Sequence, residues 1–271
     1  MLWSASFLKA KYWLLWLVGL FILLNIQACS VESRQNKDVI TVAIAASLGE
    51  VMGEIKMQFE QTYPDIKIQF NTASSGTLQR QIEEQASIDV FASAALEPIQ
   101  NLVAKKYIQA DQVKIFATNK LVLVQSSKQK NQINALQDLA NSNIQRIAMG
   151  NPKTVPAGHY AKNALRRSPN LYNILKKENK LIFGENVKQV LTYIVTQNVD
   201  AGFVYQTDIY SQPDLKLIQV FEADMTGKIQ YAIAPLRKTA NPEIAATFIE
   251  FVTGQKGQTI LAKYGFTQPK D

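Results

Sequence analysis

From Val39 onward the sequence repeatedly exchanges one apolar period for another, and this limits the folds open to it. Val39 to Ala45 is a β-branched and apolar run suited to a buried strand. Leu48, Val51, Met52, Ile55 and Phe59 then fall on one helical face, which stops before Pro64. Ile66 to Phe70 reads as the next strand, followed by the small polar turn Ala73-Ser74-Ser75-Gly76 and a helix carrying Leu78 and Ile82. Ile88 to Ala92 is a third strand. Leu96, Ile99, Val103 and Tyr107 mark a third helix, with Pro98 in its first turn, where the missing N–H costs nothing. Such alternation predicts an α/β fold built on a doubly wound, mainly parallel sheet.

Two long strand-like stretches, Val113 to Gln125 and Lys228 to Ala234, read as crossings between two such sheets. A second alternating set lies between them: a helix around Ala135 to Ala140, a strand at Arg146 to Met149, a helix from about Gly158, then Lys180 to Phe183. A helix from Val187 and the strands Ala201 to Tyr205 and Leu215 to Phe221 complete it. Two helices follow the second crossing, one starting at Asn241-Pro242 and one closed by Gly265 as a C-cap. The expectation is two lobes joined by two crossover strands: residues 39–119 and 236–271 in lobe 1, residues 120–235 in lobe 2.

The first thirty residues predict export. Lys9 and Lys11 precede an almost unbroken apolar run from Trp13 to Leu24. That run is short of the roughly 20 apolar residues of a bilayer span and fits the core of a secretory signal. Ile26-Gln27-Ala28-Cys29 resembles the lipobox of bacterial lipoproteins, although Gln27 replaces the small or hydroxylated residue usual there. The resemblance implies a signal peptide over residues 1–28, a lipid on Cys29 and a tether over residues 29–38, leaving the protein on the periplasmic side of the cell membrane. Cys29 is the only cysteine, so no intramolecular disulfide can form. Loss of the leader removes Lys9 and Lys11 and no acid, taking the formal charge from +7 to +5. No basic run is interleaved with aromatics, so nucleic acid is not an expected partner.

Catalysis finds little support. His159 is the only histidine, no G-x-S-x-G turn presents a serine, and neither common nucleotide-binding glycine motif occurs. One histidine and one lipidated cysteine leave no set of nitrogen and sulfur ligands for a metal. The chain does offer strand-to-helix turns with small or hydroxylated residues, at the strand ends where open α/β sheets bind ligands. A helix starting there points unpaired N–H groups and the positive end of its dipole at the ligand. Ser47 and Ser75 occupy two such starts. Each also reads as a plain N-cap, and Ser47-Leu48-Gly49-Glu50 has the pattern of a capping box.

Five segments, in order, resemble the periplasmic molybdate-binding proteins of ABC transporters. They are Ala45-Ala46-Ser47-Leu48, Ala73-Ser74-Ser75-Gly76-Thr77-Leu78, Val155-Pro156-Ala157-Gly158-His159-Tyr160-Ala161, Glu185-Asn186-Val187 and Gly202-Phe203-Val204-Tyr205. The ending Lys263-Tyr264-Gly265-Phe266 is similar as well, so the likeness runs from about Ile40 to Phe266. It implies a two-lobe periplasmic-binding-protein fold of type II and a monomer without cofactor that delivers molybdate or tungstate to an ABC permease. It further implies an anion held by hydroxyl and N–H of Ser47 and Ser75, the N–H groups of Ala157 and Val187, and the hydroxyl of Tyr205. The stretch from Arg167 to Lys180 is slightly longer than the family pattern, which leaves its local path open.

Such a site is physically coherent. A buried dianion surrenders a large hydration energy, so several donors must meet its oxygens. Bonds to a charged group contribute roughly 1.5–3 kcal/mol each, and neutral donors avoid desolvating a lysine. Monohydrogen phosphate carries a proton that needs an acceptor, and none of the five positions is acidic. Sulfate or a small organic anion in the same fold remains open from the sequence. So do an anchored serine hydrolase using Ser47 or Ser75, and a lipoprotein with no ligand.

Overall fold

The structure is a computed structural model that describes residues 38–269; the leader, Cys29 and most of the tether lie outside the described residues. The chain order is β1 (Asp38–Ala45), α1 (Gly49–Thr62), β2 (Ile66–Ala73), α2 (Ser75–Glu83), β3 (Val90–Ser93), α3 (Leu96–Ala104) and β4 (Lys114–Thr118). It continues with β5 (Leu121–Ser126), β6 (Ile147–Gly150), α4 (Pro156–Arg167), α5 (Leu171–Lys177), β7 (Leu181–Gly184), α6 (Val187–Val195) and β8 (Ala201–Tyr205). The last elements are β9 (Leu215–Phe221), α7 (Ala223–Thr226), β10 (Gln230–Pro235), α8 (Pro242–Thr253) and α9 (Gln255–Lys263).

The strands form two five-stranded sheets, ordered β2-β1-β3-β10-β4 and β7-β6-β8-β5-β9. In the first, β1 runs parallel to β2 from the Asp38–Ile66 pair to the Ala45–Ala73 pair, and parallel to β3. Successive residues of these strands enter different cores, as a period of two requires. Ile40, Val42 and Ile44 face Leu48, Met52, Ile55 and Phe59 of the α1 side, whereas Ala43 and Phe91 meet Leu78, Ile82, Ile99 and Leu102 of α2 and α3. Helices therefore cover both faces. The C-terminal helices return to this lobe, where the Phe59 ring lies 5.2 Å from Phe248 and 5.4 Å from Phe251, both edge-on. Burying the fully enclosed Phe59 and Phe248 side chains contributes roughly 2–3 kcal/mol each.

Both sheets are mainly parallel, as expected, and each is made mixed by one strand that runs against the other four. β10 runs antiparallel to β3 and β4, and β5 runs antiparallel to β8 and β9. The first expected crossing breaks at Asn119-Lys120, with β4 in one sheet and β5 in the other. The second lies earlier than expected. Residues 230–235 are β10, inside the first sheet, so lobe 1 takes them and the boundary after residue 235 moves back to the segment between β9 and β10. An apolar run reads alike as a crossing and as a central strand; only pairing separates the two. The longer stretch after α4 folds as α5, entered through Asn170 at a φ of 54°. Gly265 closes α9 at a φ of 82°, with Phe266 N–H donating back to Leu261 O, as expected for a C-terminal glycine.

Candidate ligand-binding site

Strands β1, β2, β6, β7 and β8 all end toward the gap between the lobes. Ser47, Ser75, Ala157, Val187 and Tyr205 follow or close these strands, and all five line a single cavity there. Ala45, Ala46, Ser74, Ala94, Val155, Pro156 and Asn186 complete its wall, which contains no Asp, Glu, Lys or Arg.

Neither serine caps its own helix. Ser47 sits within a 3-10 turn, Ala46–Leu48, and α1 begins only at Gly49, with Leu48 at its N-cap position and no side-chain cap. The expected capping box is absent because that turn carries Ser47 one residue too early for its hydroxyl to reach the orphan N–H groups of α1. Instead its Oγ accepts a 3.1 Å bond from the Tyr231 hydroxyl. Ser75 is the first residue of α2 rather than its cap; Ser74 holds the cap position, and its Oγ pairs with Thr77 Oγ1 at 2.9 Å. The Ser75 Oγ accepts a 3.0 Å bond from Ala94 N–H, a contact buried in the lobe. With an oxygen engaged on the protein side, each serine has its one proton left for the cavity.

Lobe 2 contributes differently. Pro156 opens α4 behind Val155, so Ala157 lies in the first turn, where N–H groups have no helical partner. Gly158 lets this turn press on β6: a Cβ there would meet Gly150 O at 1.9 Å. Val187 opens α6 behind Asn186, whose side chain accepts from Gln189 N–H at 3.0 Å. Tyr205 ends β8 with only 1 % of its surface exposed, and its hydroxyl makes no hydrogen bond to any described residue. Burial first, then the fields of Tyr231 and Tyr160, push its pKa well above the usual value, so it remains a neutral O–H.

Several neighbours went unread in the sequence. Asp208 is buried three residues beyond Tyr205, and its Oδ2 accepts from Tyr205 N–H at 3.0 Å. Its Oδ1 faces Lys188 Nζ at 3.1 Å, and the same ammonium reaches Glu50 Oε1 of lobe 1 at 2.8 Å. Burial opposes the charge on Lys188, but the Asp208 and Glu50 carboxylates outweigh it and hold its pKa above the lysine value. Asp208 stands above the ordinary aspartate value because burial prevails over Lys188. Glu50 is a first-turn carboxylate, as expected, but it also bridges the lobes. The spacing Tyr205-x-x-Asp208 was the available signal, since an acid three residues into a turn often caps it.

A second bridge is backbone to backbone. Gly76 N–H donates to Thr154 O at 2.9 Å, and a Cβ at position 76 would lie 2.7 Å from that oxygen. With these contacts made, the cavity measures about 10 Å³, room for about one water-sized sphere. Beside it opens a groove of about 390 Å³ that shares Val155 and Pro156 with the cavity. Exposed Arg80, Lys153, His159 and Lys228 and the single acid Glu97 flank this groove. His159 is thus an exposed residue of α4, close to the site without lining it. Among the described residues no His, Cys, Asp and Glu side chains cluster as a metal site would require, and no helix is long and apolar enough to cross a membrane.

Two mixed α/β lobes closing on a cavity of strand-end donors define a binding protein for a small solute. Residues 40–267 match the model of the bacterial extracellular solute-binding proteins, and the chain belongs to that family. It is 32% identical over 261 residues to the putative ABC transporter substrate-binding lipoprotein YvgL of Bacillus subtilis, covering 95% of this chain and 98% of that one. It is 32% identical over 232 residues to the molybdate-binding protein ModA of Escherichia coli, covering 84% and 88%. Among solved structures, the substrate-binding domain of a putative molybdenum ABC transporter from Clostridium difficile superposes with a TM-score of 0.65 at 31% identity, covering 86% of this chain and 99% of that one. The family is one of binding proteins for ABC transport rather than of enzymes, in line with the reading of the sequence.

Proposed function

We propose that the chain captures molybdate or tungstate in the cavity between its lobes and delivers it to an ABC permease, held at the membrane by a lipid on Cys29. Ser47 and Ser75 give hydroxyl and N–H, Ala157 and Val187 give backbone N–H, and Tyr205 gives its hydroxyl. The observation that carries this reading is the Tyr205 hydroxyl, buried without a partner in a wall that holds no carboxylate. A buried donor left unpaired costs about 1–3 kcal/mol, and an oxyanion oxygen would satisfy it. The likeness to molybdate-binding relatives points to the same class of ligand.

Calorimetric titration of the delipidated protein with molybdate, tungstate, sulfate and phosphate tests the cargo. Tight one-to-one binding of molybdate and tungstate is expected, far stronger than that of phosphate. Sub-millimolar sulfate binding with no molybdate signal would overturn the assignment. Ser47→Ala and Ser75→Ala should each weaken molybdate roughly 10- to 100-fold, the worth of one bond to a charged group. Each also leaves a buried donor without its acceptor, Tyr231 O–H or Ala94 N–H, so the melting temperature should drop by the equivalent of about 1–3 kcal/mol while the fold stays intact. Intact mass and lipid labelling at Cys29 test the anchor.

A further inference from the structure

The Tyr231 hydroxyl is fully buried on β10, one strand away from the residues that line the cavity. Its ring is fixed by edge contacts with Phe266 at 5.3 Å, Tyr205 at 5.8 Å and Phe116 at 6.3 Å. Behind it stands Asn119, at the break between β4 and β5 where the chain first crosses between lobes. The orientation of the Asn119 amide is set by the backbone: Lys120 N–H donates to its Oδ1 at 2.8 Å. Both protons of Nδ2 are then directed outward, one to Thr207 Oγ1 of lobe 2 at 2.9 Å and one to the Tyr231 hydroxyl oxygen at 3.3 Å. Having accepted from Asn119, the Tyr231 hydroxyl sends its own proton to Ser47 Oγ at 3.1 Å. The reverse direction would place the Asn119 and Ser47 protons together on the Tyr231 oxygen and turn the phenolic proton away from both of these partners.

We infer that Asn119 and Tyr231 are positioning residues forming a one-way hydrogen-bond relay, which turns the Ser47 proton toward the cavity and makes the site reject anions that still carry a proton. The inference rests on the oxyanion reading above and adds the reason Ser47 serves as a donor only. Ser75 is oriented independently, by Ala94 N–H, so the relay governs one of the two serines. The relay also starts at the hinge and touches both lobes through Thr207 and Tyr231. Closure and the direction of the Ser47 proton are therefore set by the same amide.

Asn119→Asp reverses the relay, because a carboxylate takes the Tyr231 proton, Tyr231 then accepts from Ser47, and Ser47 turns a lone pair to the cavity. Affinities for molybdate and for phosphate are measured at about pH 8, where phosphate is largely the monohydrogen dianion. In Asn119→Asp the ratio of molybdate to phosphate affinity should fall by about tenfold or more, the effect of exchanging a donor for an acceptor against one ligand oxygen. In Tyr231→Phe alone it should fall by at least about threefold, and adding Asn119→Asp to that background should change nothing further. A stability defect at either position would not produce this dependence of one substitution on the other. Ratios within twofold of the unsubstituted protein in Tyr231→Phe overturn the relay even if Asn119→Asp does not fold. An Asn119→Asp effect that persists without the Tyr231 hydroxyl overturns it too. Failure of the unsubstituted protein to bind molybdate, tungstate or sulfate overturns the oxyanion reading itself, a separate and visible outcome.

Discussion

The two lobes share a strand order and differ in what they offer the cavity. In each sheet the fourth strand is antiparallel and is the first strand the chain forms on entering that lobe, β10 in one and β5 in the other. Yet lobe 1 meets the cavity with the hydroxyls of Ser47 and Ser75, each oriented by a partner elsewhere in its lobe. Lobe 2 meets it with the first turns of α4 and α6 and with the unpaired hydroxyl of Tyr205. Side-chain donors depend on a second layer of residues for their direction, whereas backbone donors inherit theirs from the helix. Substitution should therefore disturb donor direction most at the two serines of lobe 1 and least at the helix starts of lobe 2.

The largest effect should come from keeping the halves apart. Gly76→Val places side-chain carbons where even a Cβ would lie 2.7 Å from Thr154 O. The lobe-2 donors are then lost together. Three bonds to an anion at roughly 1.5 kcal/mol or more each correspond to a loss of about 10³-fold in molybdate affinity. Small-angle scattering should show no compaction on adding molybdate. Compaction and affinity like those of the unsubstituted protein would mean that the Gly76–Thr154 contact is incidental to closure.

Next in size is the charge bridge. Lys188→Met leaves Asp208 buried without its cation, with an expected cost of about 3 kcal/mol at neutral pH, or roughly 6–12 °C in melting temperature. The pH dependence has a definite sign. Asp208 already titrates above the ordinary aspartate value, so its contribution to stability is full below that value and is lost as pH rises through its folded pKa. Removing Lys188 raises that pKa further. The deficit of Lys188→Met relative to the unsubstituted protein should thus be widest near neutrality and shrink on acidification, as Asp208 takes up its proton. Lys188 itself is held above the usual lysine value, so its stabilising share disappears only at strongly alkaline pH. Melting curves of both proteins from pH 4 to 8 decide it; a deficit constant across that range would show that Asp208 is not the group left exposed.

These two contacts also mark where the sequence stops being informative. The strand and helix periods placed most elements, because burial on two faces imposes them residue by residue. The β10 assignment failed because Tyr231 to Ala234 is equally apolar whether it crosses or pairs, and strand pairing is non-local. Ser47 and Ser75 are legible as hydroxylated residues at strand-to-helix turns, whereas Tyr205 comes with the family likeness. Ala157 and Val187 came only through family likeness, since a backbone donor leaves no mark on residue type. The pairs Asn119–Thr207, Asn119–Tyr231, Tyr231–Ser47 and Lys188–Asp208 lie 20 to 184 residues apart in the chain, and no local spacing encodes such pairs.

Tyr205→Phe tests the lobe-2 side chain with opposite signs in two measurements. It removes one donor to the anion, so molybdate affinity should fall about tenfold. It also removes a buried hydroxyl that has no partner in the protein, so the ligand-free form should melt no lower, and by up to about 1 kcal/mol higher. Lower stability together with unchanged affinity would reassign Tyr205 as a core residue.

The smallest effect on binding should come from Val187→Ala, and it separates backbone from side chain most cleanly. Val187 is 3 % exposed at the start of α6, so losing two methyl-sized groups should cost about 1.5 kcal/mol of stability. The Asn186 cap on Gln189 N–H is untouched, so α6 should still begin at the same residue and keep its first N–H aimed at the cavity. Molybdate affinity should stay within about twofold, since a helix N-terminus donates whatever side chain it carries. A tenfold loss of affinity at intact stability would mean that Val187 shapes the cavity through its side chain. The α6 start would then depend on its side chain as the serines of lobe 1 do.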